Sequence, residues 1–122
     1  MKTQEFLRTG EAELVPRLKE MKIKELERHA QKILNSYGST DYSTVMKQLI
    51  QTIPTLDPAD NNRFQIIQDI VSSRVSTVKC SVEPNPDAFR TDIIQRLTVL
   101  LTVIITRKFQ KIHSPKGSSA VH

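Results

Sequence analysis

Apolar residues recur every three or four positions along most of this chain, which is the spacing of one face of an α-helix. The clearest such face predicts a helix that ends at Gly38, where a glycine can adopt the left-handed conformation that stops a helix. Its members are Ile23, Leu26, Ala30, Ile33 and Tyr37. A similar stripe lies upstream, at Leu14, Leu18 and Met21. Pro16 falls within that stripe and suits the first turn of a helix better than its interior.

Two further helices follow, each with a capping signal in front of it. Thr40 or Asp41 can cap the first of them, and Pro54 ends it. Its apolar set is Tyr42, Val45, Met46, Leu49, Ile50 and Ile53. The run Asp57-Pro58-Ala59-Asp60 places a cap, a proline and an acid where a helix begins. The apolar set of this next helix is Phe64, Ile67, Ile70 and Val71, with Val75 at its end.

The C-terminal part of the chain carries the longest helical pattern. Val78, Cys80 and Val82 are spaced by two, which predicts a short extended connection before it. Asn85-Pro86-Asp87 repeats the cap-and-proline signal and opens a long helix that ends near Ile112. These elements predict an all-α fold, a compact bundle or orthogonal array of four to five helices with a long, largely buried C-terminal helix. We expect one helical domain at 1–113 and a flexible polar tail at 114–122.

The long helix is apolar around most of its circumference between positions 93 and 105. Nine aliphatic residues there cover an arc of roughly 240° at about 100° per residue. The opposite stripe is narrow and polar, and consists of Gln95, Thr98, Thr102 and Thr106. An ordinary surface helix has an apolar stripe of about 100°. This helix must therefore be covered from at least two sides, which predicts that it is the central element of the fold.

Two interpretations of this broad arc remain open. Either the other helices cover all of it, so that it is only core, or part of it stays uncovered and docks a partner helix, a peptide or a second copy of the chain. On the second interpretation the partner-binding residues lie at the edges of the arc, with a basic rim beyond them. They are Val99, Leu101, Val103, Ile105, Arg107, Lys108 and Lys111.

The same segment is too short to cross a bilayer, which needs about 20 largely apolar residues. Its apolar part is interrupted near the start by Gln95 and Arg96, so we expect no membrane span. The first ten residues lack the apolar stretch of a signal peptide. The single Cys80 cannot form an internal disulfide and fits a reducing compartment. These features favour an intracellular protein, cytoplasmic or nuclear.

The net charge of +5 is concentrated at the C-terminal end of the chain. Positions 93–122 carry five basic residues and no acidic one. Such an end could contact phosphates, so a nucleic-acid-binding helical domain is the alternative function. Cations at the end of a helix also answer the helix dipole, however. Phe109 is the only aromatic residue among them, which disfavours base stacking.

The sequence contains no recognisable catalytic or metal-binding motif. Glu25 and His29 lie one helical turn apart, but two ligands do not make a metal site. No serine has a GxSxG context, and the three glycines lie too far apart for a phosphate-binding loop. We therefore expect no catalytic residue, no metal, no cofactor and no small-molecule substrate. The chain is predicted not to be an enzyme.

The run ILNSYGSTDYSTVMKQLIQTI, at positions 33–53, resembles the second and third helices of harmonin-homology domains. That resemblance implies a small helical adaptor that grips a helix or peptide of a partner. The chain then departs from the family: where the family has an apolar turn leading to a proline and a histidine, it has FQIIQDIVSSRVST. No binding residue is carried over. The sequence as a whole predicts a non-enzymatic adaptor or scaffold module that binds a protein partner or self-associates.

Overall fold

The computed structural model describes residues 11–53 and 61–113, and these form helices joined by short connections. The helices are α1 (Glu11–Glu20), α2 (Ile23–Tyr37), α3 (Tyr42–Thr52), α4 (Asn61–Arg74), α5 (Thr77–Cys80) and α6 (Pro86–His113). Within these ranges the extended pairing is limited to one isolated bridge between Gly38 and Val75. The predicted all-α class with a long C-terminal helix is confirmed. The predictions for Pro54, for the cap at 57–60 and for the tail at 114–122 lie outside the described residues.

Helix α2 ends at Gly38 as predicted, but the left-handed conformation predicted for Gly38 was wrong. Gly38 has φ −96° and ψ 161°, which is extended rather than left-handed backbone. The chain leaves the helix by straightening and pairs at once with the segment that follows α4. The Ser39 amide donates to the Arg74 carbonyl at 2.8 Å, and the Ser76 amide donates to the Tyr37 carbonyl at 2.7 Å.

Two of the predicted helix caps are present. The Asp41 carboxylate accepts a hydrogen bond from the Thr44 amide at 2.9 Å at the start of α3. At the start of α6, the Asn85 side-chain oxygen accepts from the Ala88 amide at 3.4 Å, and Pro86 is the first helical residue.

Two other predictions about local structure were wrong. Pro16 lies inside α1, which begins five residues earlier at Glu11. The segment around Val78 is the one-turn helix α5, capped by the Ser76 hydroxyl, which accepts from the Lys79 amide at 3.1 Å. Only Cys80 of the three alternating residues is buried; Val78 and Val82 are about four-fifths exposed, at 78% and 80%. Their spacing of two therefore did not reflect a buried strand face.

Helix α6 is the central element of the described structure. It is 28 residues long, about 42 Å at 1.5 Å per residue, and it contacts α1, α2, α4 and α5. Seven of its nine aliphatic residues between positions 93 and 105 are buried in the core, and Val99 and Val103 are only partly buried. The other helices thus cover most of the broad apolar arc but not all of it. No helix within the described ranges combines the length and hydropathy needed to span a bilayer.

Helix α4 is fixed against α6 by the side chain of Arg90. Its guanidinium donates to the Ser72 carbonyl at 2.7 Å and to the Val75 carbonyl at 3.3 Å, at the C-terminal end of α4. Cations at this end of a helix satisfy carbonyls that have no partner within the helix. This contact holds the C-terminal end of α4 beside α6. The N-terminal end of α4 also lies beside α6, where it forms one wall of an open cavity.

Candidate functional site

Helices α1, α4 and α6 surround an open cavity of about 610 Å³, which we call the groove. Its lining residues among those described are Lys19, Arg63, Phe64, Val99, Thr102, Val103, Thr106 and Arg107. Cavities of roughly 300–1,000 Å³ are typical of binding sites in proteins. The groove is therefore large enough to hold one or two side chains of another molecule.

The floor of the groove is apolar. Phe64, on α4, is 40% exposed although its position belongs to the apolar set of that helix. Val99 and Val103, on α6, pack against the core and still border the groove. These two valines are the part of the broad apolar arc that the described helices leave accessible. Both were predicted as partner-binding residues.

Thr102 and Thr106 on α6 form one side of the groove, and Thr98 precedes them in the same stripe. Thr98 is fully buried, and its hydroxyl donates to the Ile94 carbonyl at 2.6 Å. The Thr102 hydroxyl donates in the same way to the Thr98 carbonyl at 2.7 Å. Because these hydroxyl protons are bonded to the backbone of their own helix, the stripe can lie against apolar neighbours without losing hydrogen bonds.

Three cationic side chains border the groove, one from each helix. They are Lys19 of α1, Arg63 of α4 and Arg107 of α6. None of the described residues that line the groove carries a carboxylate. Lys19 and Arg63 take part in no ion pair formed within the described part of the chain, whereas Arg107 donates to the carbonyl of Met21. The groove thus combines an apolar floor with a positive potential.

Arg63 differs from the other two cations because it is buried. Only 9% of its surface is exposed, and its Nε and Nη1 atoms have no hydrogen-bond partner within the described structure. A buried donor without an acceptor costs about 1–3 kcal/mol, and more when it belongs to a charged group. Polar side chains left in this condition in a native fold require an explanation, and binding of an external acceptor is one.

The structure separates the predicted partner-binding residues into different environments. Leu101 and Ile105 lie in the core, at 0% and 1% exposure, so they contribute no accessible surface. Lys108 forms an ion pair with Glu27, with 2.9 Å between Nζ and Oε2. The side chain of Lys111 lies outside the described residues. Among the predicted residues whose side chains the structure describes, Val99, Val103 and Arg107 border the groove.

The ion pair of Lys108 belongs to a small network that joins three helices. Glu27, on α2, also accepts a hydrogen bond from the Tyr42 hydroxyl of α3 at 2.7 Å. Burial alone would raise the pKa of Glu27, but the hydrogen bonds from Tyr42 and Lys108 and the charge of Lys108 outweigh it and lower that pKa. Burial and the bond to Glu27 raise the pKa of Tyr42, so its hydroxyl remains a donor. Lys108 therefore has a structural role in the fold.

Sequence reasoning missed most of the lining residues. Lys19 stands in a run of interleaved charges, and Arg63 and Phe64 are adjacent on a helix whose apolar face was expected to be covered. Thr102 and Thr106 were recognised only as a polar stripe. The signal that could have located the groove was the boundary on α6 between the threonine stripe and Val99 and Val103. The groove of this chain lies along that boundary.

Other chemistry receives little support within the described residues. No three His, Cys, Asp or Glu side chains lie together as a metal site there. Cys80 is buried, and burial raises the pKa of its thiol, which disfavours the thiolate needed for nucleophilic reactions.

In comparisons with known proteins, no family model matches the chain, and no curated protein or solved structure is significantly similar to it.

Proposed function

We propose that this chain is a non-enzymatic interaction module that binds a segment of a partner protein, a helix or a peptide, in the groove. The observation that carries the proposal is the accessible apolar floor, formed by Phe64 of α4 together with Val99 and Val103, the two aliphatic residues of the α6 arc that are not fully buried. Partly exposed apolar side chains in a concave site favour binding of an apolar side chain, because both surfaces lose contact with water.

The charges around the groove favour a partner segment over a second copy of the chain. A symmetric dimer formed through this face would place Lys19, Arg63 and Arg107 of one copy opposite the same three residues of the other. Like charges brought together in a closed interface are unfavourable. A segment that carries acidic residues beside apolar ones has the complementary pattern.

The geometry gives less support to the alternative, a nucleic-acid-binding domain that uses the basic C-terminal end. Arg107 and Lys108, which would contact phosphates, are already engaged with Met21 and Glu27. Arg63 lines the groove and is 9% exposed, which suits contact with one inserted side chain better than contact with an extended phosphate backbone. Phe64 is the only aromatic residue among the described lining residues, and non-specific binding of single strands relies on several stacking platforms.

Selection from a random peptide library displayed on phage provides a defined test. Selected peptides are synthesised with a fluorophore, and their affinity is measured by anisotropy. We expect V99D/V103D to weaken their binding roughly tenfold or more, because charging two floor positions removes the apolar contact. Because these valines pack against the core, the double change also disturbs the packing of the core. T106E is therefore a second variant, which places an acid in the groove without altering the floor.

The matched control is V78D, which makes the same change at an exposed valine that does not line the groove. It should bind the peptides as the unaltered chain does, and circular dichroism should show equal helix content in all the variants. Failure to select any peptide, or equal affinities for V78D and T106E, would contradict the proposal. Sedimentation that shows a dimer dissociated by T106E would replace it with self-association.

A further inference from the structure

We infer that Arg63 is a carboxylate-binding residue, and that the segment bound in the groove carries an aspartate or glutamate next to the apolar residue seated on the floor. This inference rests on the proposed function and specifies the chemistry of the partner. It depends on the juxtaposition of a buried cation, two donors without acceptors and an apolar surface in one cavity.

The state of Arg63 is the first argument. Arginine is always charged, and a buried guanidinium is normally held by a carboxylate or by carbonyls. Arg74 and Arg90 of this chain follow that rule, since Arg74 bonds the Gln48 side chain and Arg90 bonds two carbonyls. Arg63 is more enclosed than either, yet its Nε and Nη1 have no acceptor within the described residues. It has the features of a residue whose acceptor comes from another molecule.

The shape of the site favours a carboxylate over a larger anion. A guanidinium presents planar donors that match the two oxygens of a carboxylate. A phosphate carries more charge and more acceptor oxygens, and it would require several unengaged cations close together. Here Arg107 already donates to the Met21 carbonyl, and Lys19 is exposed. One buried guanidinium beside an apolar floor fits a singly charged group on a short apolar stem.

The order of residues on α4 restricts where the acid can be. Phe64 directly follows Arg63, and both line the groove. If one apolar side chain of the bound segment contacts Phe64, the carboxylate that contacts Arg63 must belong to a residue close to it in space on the same segment. In a helical segment the two would be three or four positions apart, since those positions share a face.

Lys19 should have a weaker and different effect. It is exposed at the rim, so it attracts an acidic segment mainly through a field that salt screens. K19Q should lower affinity only at low ionic strength. The contribution of Arg63 should persist at high ionic strength, because its contact with the carboxylate excludes water.

The experiment is a double-mutant cycle with the peptides selected in the library. Each acidic residue of a peptide is changed in turn to its amide, and each version is titrated against the unaltered chain, R63Q and R63K. With the unaltered chain, one acid-to-amide change should weaken binding on the order of thirtyfold, as expected when one member of a buried charged pair is removed. With R63Q, the two peptide versions should bind equally. R63K keeps the charge without the planar donors and should give an intermediate result, and it covers the case in which R63Q does not fold.

The outcomes separate this inference from the proposed function. Peptides that depend on Val103 but carry no acid, or an acid-to-amide effect that is as large with R63Q as with the unaltered chain, overturn the inference and leave the proposed function intact. If no peptide depends on the floor residues, the proposed function fails and the inference fails with it. Circular dichroism of R63Q and R63K establishes that each comparison is made between folded proteins.

Discussion

Gly38 lies where α2 ends and the chain pairs with the segment after α4, and this position leaves no room for a side chain. A Cβ atom there would come within 2.7 Å of the Leu34 carbonyl oxygen and within 2.9 Å of a Leu34 methyl carbon. The neighbouring bonds at Ser39 and Ser76 hold the backbone in place on either side of the bridge. The sequence correctly predicted that the helix stops at a glycine. Glycine is required there because Leu34 lies too close for a side chain, and not because the backbone is left-handed.

We expect G38A to lower the free energy of unfolding by about 1–3 kcal/mol, the range for overpacking a tight site. Urea denaturation followed by circular dichroism measures the change. S36A, at an exposed position near the end of the same helix, is the control and should differ by no more than about 0.5 kcal/mol. Equal stability of G38A and the unaltered chain would show that Leu34 shifts to accommodate the added Cβ atom without lowering the free energy of unfolding.

Glu27 predicts a specific dependence of stability on pH. The folded state lowers its pKa below the ordinary value of 4.5, so the folded chain holds this carboxylate in its charged form. The resulting stabilisation is fully present above that ordinary value and is lost as the pH falls through the lower pKa of the folded state. E27Q should therefore be less stable at neutral pH and lose less stability than the unaltered chain between about pH 6 and about pH 3.

Denaturation midpoints in urea across that pH range test this expectation. E20Q alters an exposed carboxylate of α1 and should follow the acid dependence of the unaltered chain. The interpretation would be wrong if E27Q and the unaltered chain lost stability in parallel as the medium was acidified.

At the scale of single elements, α1 contains a proline in its interior. Pro16 has no amide hydrogen, so the carbonyl four residues earlier, at Ala12, cannot receive the usual helical bond. Replacing Pro16 with alanine restores that donor and removes the crowding that a proline ring generally causes against the carbonyl four residues earlier. We expect P16A to raise the free energy of unfolding by about 1–3 kcal/mol.

The control for α1 is R17A, an exposed position one residue further along, which should change stability by less than about 0.5 kcal/mol. The comparison also distinguishes the structure from the prediction made from sequence. If the helix began at Pro16, the proline would suit its first turn, and P16A would leave the stability unchanged or lower it.

The elements show which local signals in the sequence were sufficient. Asp41 and Asn85 identified two helix starts because a short polar side chain ahead of an apolar pattern has a direct role in bonding the first amides. The one-turn helix α5 could not be recognised by spacing, since four residues are too few to show a helical period. Ser76 was its only usable signal, because its hydroxyl caps the turn.

At the scale of the molecule, α6 determines the arrangement because most other helices pack on it. The width of its apolar arc was sufficient to predict this central place. The width of the arc was not sufficient to show which part of α6 stays accessible, because that depends on how far α1 and α4 extend along α6. Val99 and Val103, which were predicted as partner-binding residues at the edges of the arc, border the groove, whereas Arg63 and Lys19 reach it from elements whose sequence patterns contain no signal for it.

A pair of truncations on α6 tests the boundary between core and groove. L101A removes a fully buried side chain and should lower the free energy of unfolding by about 2–5 kcal/mol. V99A removes part of a side chain that borders the groove and should cost less than about 1.5 kcal/mol, since the site is already in contact with solvent. Both are measured by urea denaturation. Equal losses would indicate that position 99 is as enclosed as position 101.

The buried donors of Arg63 also have a practical consequence. An acceptor supplied by another molecule would form its bonds in a place that water reaches poorly, and binding to the folded chain alone raises resistance to heat. Melting curves recorded against a panel of short acidic compounds would then rank candidate occupants of the groove by their effect on the transition temperature. Such a screen requires no label, no activity assay and no prior identification of the natural partner.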